Sequence, residues 1–378
     1  MPLKIGIVTE YYYPLLGGIS ENVHHTATEL VARGHRVTII TAAPPVNGFP
    51  LAVPNGIPVT RIGRSATIYG NGAMAHFTIG PHLWRDLRGA LDAERFDLLQ
   101  VHSPLFFTLP PLATLLGSCP RIGTFHSYFE PTLVYRALKG VLQKQIVRRL
   151  DGVTVVSPSV LRALSRYFDM DARVIPNGVD TRMFNPHVAR LARFGPEKRT
   201  LLFLGRFDPR NGLPFMLRAF TGVRKRIRDV RLIVVGTGPL ESLYTRLVPD
   251  DLQDDVHFEG PALLNRPSFY ATADLFCSPI SNASFGITLL EAMASGTPIV
   301  ATDNVGYRDL LGPEALLVRY DERAFADAIV QMLSDDRLLL AMREAGLRKA
   351  ERYSWPVVVT DLVDYFHEIL EGRCRVAV

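Results

Sequence analysis

Cysteine is scarce in this chain of 378 residues, which contains three. Cys119, Cys277 and Cys374 lie far apart and share none of the short spacings typical of zinc sites. The sequence therefore indicates neither a zinc centre nor a disulfide framework. It predicts that the three cysteines are reduced packing residues.

Long apolar runs are missing as well. The longest charge-free stretch that could resemble a membrane segment, Pro104–Pro120, is too short and too often interrupted by proline to span a bilayer as a helix. The first residues, MPLKIGIVTE, place Lys4 inside a short apolar run, which is typical of a first β-strand and not of a secretory leader. We therefore expect a cytoplasmic protein without a transmembrane segment.

The net charge is small, because 42 Lys and Arg residues stand against 37 Asp and Glu residues. The net charge of the whole chain is +5, and one segment, residues 134–150, has the same charge. It contains no acid and five cations: Arg136, Lys139, Lys144, Arg148 and Arg149. Four apolar or aromatic residues alternate with these cations: Tyr135, Leu138, Val141 and Leu142. Such a helix either lies on an anionic membrane surface or presents a solvated face, and the sequence leaves both open. No module for binding nucleic acid is recognisable, so no nucleic-acid partner is expected.

Short β-branched runs alternate with helical patterns along nearly the whole chain, as in parallel sheets covered by helices. Two series of strands are predicted, at residues 4–9, 36–41, 98–102, 121–125 and 153–157, and then at 200–205, 231–236, 256–259, 275–278 and 299–302. Helices are predicted at residues 20–33, 215–227, 324–333 and 355–370. Proline, glycine and asparagine interrupt the periodicity over Pro176–Lys198, which predicts a linker. We expect an α/β protein with one domain at residues 1–180 and a second at 181–355.

The first domain offers two candidate site features. Gly17 and Gly18 lie between the first strand and a helix, where glycine lets the backbone approach a ligand and free amides attract phosphate. A flexible turn explains the same doublet. His126 ends a predicted strand and is either a site residue or a buried core residue. Asp169-Met170-Asp171 resembles a metal-binding pair but falls between a helix and a strand, as turns do, so we predict no metal site.

Two loops of the second domain follow predicted strands. Arg206 directly follows the strand that ends near Gly205, where a guanidinium is well placed to hold a diphosphate. Arg210, in the same loop, is more typical of a surface ion pair. Gly236 and Gly238 resemble part of a dinucleotide fingerprint, but Glu241 occupies the place of its third glycine. This weakens an oxidoreductase function, although the two glycines still leave room for a nucleotide base or ribose.

The most informative segment is Ser278–Pro298, which predicts a strand, a loop of small residues, a helix starting near Phe285 and a glycine stop. The loop and helix start contain candidate donor-binding residues: Asn282, Ser284, Phe285, Gly286 and Ile287. Glu291 lies among apolar neighbours, so its carboxylate needs polar partners. Ribose hydroxyl groups would supply them, whereas capping or surface exposure is the alternative.

These motifs together resemble glycosyltransferase family 4. They stand in family order over nearly the whole chain: YYYPLLGGISENV, GTFHSYFEP, VIPNGVD, LFLGRFDPRNG, LIVVGTGPL, SFGITLLEAMASGTPIVATD and YSWPVVV. The resemblance implies the GT-B fold, in which two Rossmann-like domains face each other across a cleft and a C-terminal helix, here 356–378, rejoins the first domain. Among subgroups, the sequence most resembles bacterial phosphatidylinositol mannosyltransferases.

The resemblance also implies roles for individual residues. Gly17 and Gly18 would border the reaction centre, and His126 would touch the transferred sugar. Arg206 would hold the diphosphate together with the amides around Phe285, Gly286 and Ile287. Glu291 would bind the nucleotide ribose.

Two positions depart from the family pattern. Asn211 stands where the family has a lysine, and Ala283 stands where it has the first glutamate of its E-x7-E motif. Three explanations remain open: a site rewired through Arg210 or Asn282, an altered choice of donor, or a binding protein without catalysis. Losing a charged contact to a reacting group typically costs several powers of ten in rate.

The predicted activity is a retaining transfer of a hexose, mannose or glucose, from a GDP- or UDP-linked sugar to a hydroxyl group of a lipid or glycan. No metal or other cofactor is expected. The attack would occur on the front face, assisted by the departing phosphate, while Arg206 stabilises its charge. We expect peripheral association with the inner face of the cell membrane. A silent sugar-nucleotide-binding homologue is the alternative function.

Overall fold

A computed structural model describes residues 1–15, 17–44, 56–70, 73–105, 108–262 and 265–372. The chain divides into two compact units. The first unit comprises Met1–Gly70, Met74–Asn177 and Trp355–Val378, and the second comprises Asn71–Ala73 and Gly178–Ser354. Cys277 is buried and Cys119 is half-buried, both as free thiols, whereas Cys374 lies outside the described residues.

The first unit is built on one sheet, whose described part has eight strands in the order β4-β3-β2-β1-β5-β6-β7-β8. The strands are β1 (Lys4–Val8), β2 (Arg36–Ala43), β3 (Val59–Gly70), β4 (Ala73–Ile79), β5 (Leu98–His102), β6 (Arg121–Phe125), β7 (Gly152–Val155) and β8 (Arg173–Val174). From β3 to β8 all neighbouring strands pair in parallel. The five predicted strands of this unit are confirmed, while β3, β4 and β8 were not predicted.

Helices connect these strands and cover the sheet. They are α1 (Gly18–Ala32), α2 (Leu83–Glu94), α3 (Leu109–Leu116), α4 (Leu133–Gln145), α5 (Pro158–Leu164) and, from the end of the chain, α13 (Trp355–Leu370). The buried side of α13 packs with Ile5 and Ile7 of β1 in one apolar cluster. Its Tyr365 hydroxyl accepts a hydrogen bond from the backbone N–H of Val153 (3.0 Å), so α13 is anchored to β7.

The second unit has a fully parallel sheet, whose described part has six strands in the order β11-β10-β9-β12-β13-β14. The strands are β9 (Arg199–Leu204), β10 (Val230–Val235), β11 (Val256–Phe258), β12 (Leu275–Ser278), β13 (Ile299–Thr302) and β14 (Ala315–Val318). The helices are α6 (Leu213–Arg224), α7 (Glu241–Thr245), α8 (Arg266–Thr272), α9 (Ile287–Ala294), α10 (Val305–Leu310), α11 (Glu322–Leu333) and α12 (Asp336–Arg352). The five predicted strands are confirmed, and β14 was missed.

Strand order determines where a ligand can bind in each sheet. In the second unit β9 is central, with β10 on one side and β12 on the other. In the first unit β1 has the same position between β2 and β5. Open parallel sheets bind ligands beyond the carboxyl ends of strands where the order reverses. The loops after β9 and β12, and those after β1 and β5, therefore lie at the binding edge of their sheets.

Candidate active site

Three loops of the second unit meet at the carboxyl ends of β9, β10 and β12. Glycine makes this approach possible: Gly212 has φ 76°, and a Cβ atom there would overlap the carbonyl oxygen of Pro279, in the loop after β12. A Cβ atom on Gly236 would overlap the carbonyl oxygen of Gly205, in the loop after β9. The backbones of the three loops are therefore in direct contact.

This packing corrects the reason given for Gly236 and Gly238. A Cβ atom on Gly238 would lie 2.7 Å from the carbonyl oxygen and 2.9 Å from the nitrogen of Phe207. The backbone N–H of Phe207 also donates to the carbonyl of Thr237 (3.0 Å). The missing side chains make room for the neighbouring loop, so a nucleotide is not needed to explain these two glycines.

Arg206 follows β9 as an exposed side chain, 48% accessible. Its Nη2 atom lies 3.4 Å from the carboxylate of Asp208, which is 9% accessible. Asp208 also accepts a hydrogen bond from the backbone N–H of Asn211 (3.1 Å), and the Asn211 amide donates to the Arg206 carbonyl (2.9 Å). Asp208 and Asn211 therefore hold both ends of the turn that presents Arg206. Asp208 was not among the predicted site residues.

Arg210 lies in a short 3₁₀ turn, Pro209–Asn211, and is exposed. Its charge acts on Tyr307, which is fully buried in α10. Burial raises the pKa of Tyr307, and the hydrogen bond with Ser278 (2.6 Å) and the charge of Arg210 oppose that rise. The turn that contains Arg210 is followed by Gly212, whose backbone contacts Pro279 in the loop after β12.

The loop after β12 leads into α9, which begins at Ile287, two residues later than predicted. Gly286 precedes it with φ 154°, and a Cβ atom there would lie 2.7 Å from a methyl carbon of Leu289. Phe285 is buried, whereas Asn282 and Ser284 are half-buried. This helix start offers backbone N–H groups and the positive end of the helix dipole.

Ala283 lies in the same loop, and its backbone packs against the start of α10. A Cβ atom on Gly306 would overlap the Ala283 carbonyl oxygen and would lie 2.9 Å from the carbonyl carbon of Ser284. The start of α10 therefore packs against the backbone of this loop. Asn304 caps that helix by accepting a hydrogen bond from the Tyr307 N–H (3.0 Å).

Glu291 requires a correction, because protein groups satisfy its carboxylate. Tyr270 donates its hydroxyl proton to one oxygen (2.9 Å), and Nη1 of Arg266 lies 3.3 Å from the other. Glu291 is 2% exposed, and both partners belong to α8. Its burial therefore does not need ribose hydroxyl groups, and a ribose contact of Glu291 stays a prediction from the family resemblance.

In the first unit, Gly17 precedes α1, and Gly18 is its first residue. Gly17 has φ 162°, an extended conformation open to any residue, and a Cβ atom there would meet no described atom within 4 Å. Neither backbone conformation nor packing among the described residues accounts for glycine at this position. Open space at the start of a helix is what a ligand approaching the backbone requires.

His126 follows β6 and is paired with a second histidine that the sequence reasoning missed. Nε2 of His126 lies 2.7 Å from Nδ1 of His102, the last residue of β5. Both rings are buried, with 8% of His126 and 1% of His102 accessible. Burial lowers the pKa of His126 to about 3 and lowers the pKa of His102 well below its ordinary value, so both are neutral near pH 7. The sequence signal that could have found His102 is that both histidines lie at the ends of predicted strands.

Glu10 is a buried carboxylate that the sequence reasoning also missed. One oxygen accepts hydrogen bonds from the backbone N–H groups of Thr108 and Leu109 (2.7 Å each), and the other accepts from the Thr78 hydroxyl. Burial raises its pKa, and these bonds oppose the rise. Because both oxygens are occupied, Glu10 stabilises the start of α3 and is not placed as a nucleophile.

The predicted membrane segment forms α4 and the following 3₁₀ turn, Val147–Arg149. Its five predicted cations are all exposed, and so are four large apolar side chains: Leu133 (77%), Val134 (65%), Leu138 (45%) and Val141 (61%). Tyr135 was expected among them but is buried, stacked on Phe129 with ring centroids 4.7 Å apart. One side of α4 is thus anchored, and the rest is a mixed basic and apolar surface.

No helix in the described ranges is long and apolar enough to cross a membrane. No group of three or more His, Cys, Asp or Glu side chains in those ranges is arranged to hold a metal ion.

The chain is similar to known proteins in sequence and in fold. Residues 16–183 match the family model described as Glycosyltransferase Family 4, and residues 198–335 match that of Glycosyl transferases group 1. A phosphatidyl-myo-inositol mannosyltransferase of Mycobacterium leprae is 32% identical over 100% of both chains. An alpha-monoglucosyldiacylglycerol synthase of Streptococcus pneumoniae is 28% identical over 88% of this chain and 78% of the synthase. The crystal structure of Anabaena HepE in complex with UDP and glucose matches with a TM-score of 0.74 at 18% identity, over 97% of this chain and 99% of that one.

Proposed function

Because this chain belongs to glycosyltransferase family 4 and is a GT-B glycosyltransferase, we propose that it moves a hexose from a nucleotide diphosphate sugar to a hydroxyl group of a lipid, with retention of the anomeric configuration. The full-length relative from M. leprae is named for mannose, and the S. pneumoniae relative for glucose. Mannose from GDP-mannose is therefore the first donor to test, and UDP-glucose the second.

One observation carries this proposal. Arg206 extends, exposed, from the carboxyl end of β9 and is paired with nearly buried Asp208. The loop that contains both residues ends at Gly212, whose backbone contacts Pro279 in the loop that leads into the start of α9. A guanidinium and the free amides of a helix start together match a diphosphate that gains negative charge as it leaves.

The reaction we propose has one chemical step. The bond between the sugar's anomeric carbon and the phosphate oxygen breaks, and a bond to the acceptor oxygen forms on the same face. The acceptor's proton passes to the departing phosphate oxygen. Two carboxylates that would favour a covalent route are absent or occupied, since Ala283 stands in place of a glutamate and Glu10 caps α3. Stabilising the leaving group is then the main source of catalysis.

Other residues take supporting roles in this proposal. Gly17 and Gly18 let the reacting groups approach the start of α1, and His126 touches the transferred sugar. Arg210 and Asn211 line the diphosphate loop, with Arg210 in place of the family's lysine charge. Asn282, Ser284 and the backbone around Phe285, Gly286 and Ile287 complete the donor site. Gly236, Gly238 and the ribose contact of Glu291 rest on the family resemblance alone.

We propose that no metal ion takes part. The negative charge of the diphosphate is met by Arg206, by Arg210 and by the amides at the start of α9. These positive groups would neutralise the charge of the diphosphate, as Mg²⁺ does in many phosphate sites. A chelator should therefore leave the transfer rate unchanged.

A lipid acceptor fits the surface of α4. Four exposed apolar side chains lie among five exposed cations, which is the composition of a helix that rests on an anionic bilayer. The names of the two relatives each contain the name of a lipid. We place the enzyme at the inner face of the cell membrane, bound peripherally through this surface.

The decisive experiment supplies the purified chain with GDP-mannose or UDP-glucose and with vesicles that contain phosphatidylinositol or diacylglycerol, with and without EDTA. Mass spectrometry identifies the glycosylated lipid, and released nucleoside diphosphate is measured in parallel. We expect one donor to give a hexosyl lipid with the α-anomeric configuration of its donor, at equal rates with and without EDTA.

The competing outcome is a silent sugar-nucleotide-binding protein. Such a protein binds one donor by calorimetry but yields neither a glycosylated lipid nor free nucleoside diphosphate. That result would overturn the proposed function and would indicate that Ala283 and Asn211 mark a loss of catalysis.

A further inference from the structure

The histidine pair at the binding edge of the first unit joins two neighbouring strands. His102 ends β5 and stands opposite Thr124 of β6, while His126 follows β6. The two rings are nearly parallel, at 11°, with centroids 5.0 Å apart, and one hydrogen bond joins Nδ1 of His102 to Nε2 of His126 (2.7 Å). Since a histidine's hydrogen-bonding role depends on which nitrogen holds its proton, this bond couples the two rings.

A row of polar side chains beneath the pair holds its strands in place. Gln100 precedes His102 by two residues on the same face of β5, and Thr124 has the same relation to His126. The Gln100 amide donates to the Thr124 hydroxyl (3.0 Å), which also accepts from the Thr154 hydroxyl (2.9 Å). The pair therefore sits on three strands that are joined through their side chains.

Both imidazoles are neutral, because burial makes their charged forms unfavourable. Each neutral ring holds one proton, and the bond between them contains one proton. Either His102 donates from Nδ1, or His126 donates from Nε2. The two arrangements differ in which protons the outer nitrogens hold. If His102 donates, the second proton is on Nδ1 of His126. If His126 donates, the second proton is on Nε2 of His102.

The outer nitrogen of His102 decides between them. Nε2 of His102 is fully buried and has no hydrogen-bond partner among the described residues. A buried N–H without a partner is rarer than a buried acceptor without one. The proton of His102 is therefore on Nδ1 and is donated to Nε2 of His126. The proton of His126 must then be on Nδ1. This N–H belongs to the more accessible of the two rings, 8% against 1%, whereas the alternative would leave the N–H on the fully buried Nε2 of His102.

We propose that His102 is a positioning residue that holds the proton of His126 on Nδ1 and so makes His126 a hydrogen-bond donor to an oxygen atom of the transferred sugar. This role rests on the proposed function, but the proton's location does not. With its Nε2 occupied, His126 cannot act as a general base through that atom. Its contribution is a fixed N–H group.

The test combines spectroscopy with kinetics. Nitrogen-15 NMR of the histidine rings distinguishes protons on Nδ1 from protons on Nε2, and His126→Gln assigns the signal. His102→Gln keeps an N–H donor, and His102→Leu removes it. His35→Gln replaces another buried histidine of the first unit, which accepts from the Leu3 N–H, and serves as the matched control.

We expect His126 to hold its proton on Nδ1 in the wild type and in His102→Gln. In His102→Leu the proton should move to Nε2, and kcat should fall about tenfold or more while the donor KM changes less than about twofold. His102→Gln should recover most of this loss.

A proton on Nε2 of wild-type His126, or His102→Leu with unchanged signal and kcat, would overturn the proposal. If His102→Leu does not fold, the wild-type spectrum still decides. The NMR result stands even if no donor is turned over, so the two proposals fail separately.

Discussion

Nη2 of Arg206 lies 3.4 Å from the carboxylate of Asp208, and the exposed guanidinium is thereby tied to a nearly buried acid. Asp208 is fixed in turn by the backbone N–H of Asn211. A long side chain that must meet a diphosphate loses less conformational freedom on binding if it is already oriented. The ion pair with Asp208 explains how the exposed Arg206 side chain can have a defined orientation.

Asp208→Asn tests this orientation. The amide oxygen can still accept the Asn211 N–H, so the turn should persist, but the charge that attracts Arg206 is lost. Because exposed ion pairs contribute at most about 1 kcal/mol, we expect the donor KM to rise by about twofold to fivefold. Asp327→Asn, which breaks the exposed Arg226–Asp327 pair (2.7 Å) in the same unit, is the control. Equal donor KM values for both variants and the wild type would show that Asp208 does not orient Arg206.

Gly17 and Gly236 should respond differently to alanine. Gly17→Ala adds a methyl group that meets no atom of the described residues, on an extended backbone, so the melting temperature should stay unchanged while transfer falls about tenfold or more. Gly236→Ala forces a methyl group into the Gly205 carbonyl at φ 148°, which should destabilise the second unit by about 1–3 kcal/mol. Calorimetry and transfer assays separate the two effects. Full activity in a stable Gly17→Ala variant would remove Gly17 from the reaction centre.

The stability of the first unit should depend on pH through its buried histidines. Burial lowers the pKa of His126 to about 3 and that of His24 to about 4, whereas an unfolded histidine titrates near pH 6.5. Below pH 6.5 the unfolded chain therefore binds protons that the folded chain does not, and stability falls until the pH reaches the folded pKa values. His126→Gln should reduce this slope between pH 6 and 4 by about 1.4 kcal/mol per pH unit.

Urea unfolding at pH 6, 5 and 4 measures this slope. The two tryptophans of the sequence, Trp84 and Trp355, both lie in the first unit, so their fluorescence reports its unfolding. His82→Gln, at an exposed position of the same unit, is the control. A slope that His126→Gln leaves as steep as in the wild type would contradict the depressed pKa.

The α4 surface should bind anionic vesicles in a salt-dependent manner. Arg136→Gln together with Lys139→Gln should weaken binding about thirtyfold, since each cation near a membrane contributes about 1 kcal/mol. Arg226→Gln with Arg246→Gln removes equal charge from the second unit as a control. Val141→Ser should also weaken binding, whereas Leu340→Ser, which is 56% exposed in the second unit, should not. Vesicle sedimentation that is insensitive to both α4 changes would rule this surface out.

The sequence predicted all the central strands and the edge strand β11, but it missed β3, β4, β8 and β14, which lie at or next to a sheet edge, for a physical reason. Strands such as β10 are buried throughout and read as continuous apolar runs. In β3, Arg61, Gly63 and Arg64 interrupt the pattern, and Arg61 donates to the backbone carbonyl of Ala42. The short strand β14 is buried at Ala315 but half-exposed at its other residues. Edge strands have fewer neighbours to bury them, so their composition carries a weaker signal.

The candidate site was predictable where one loop contains the function and unpredictable where distant residues meet. Arg206 and the start of α9 follow from local patterns of strand, loop and helix. His102, in contrast, meets His126 only because β5 and β6 are neighbours in the sheet. Glu291 finds Arg266 and Tyr270 because α8 packs beside α9, a relation that no spacing along the chain expresses.

The central claim is that Arg206 stabilises the diphosphate as it leaves, and the transfer rate of Arg206→Ala tests it most directly. The control is Arg226→Ala, because Arg226 is similarly exposed in the same unit and is paired with Asp327. At saturating donor and acceptor, removing a group that stabilises the transition state typically costs about 10²–10³ in kcat. We predict a loss of that size for Arg206→Ala and none for Arg226→Ala. A kcat for Arg206→Ala within about threefold of the control would contradict the account.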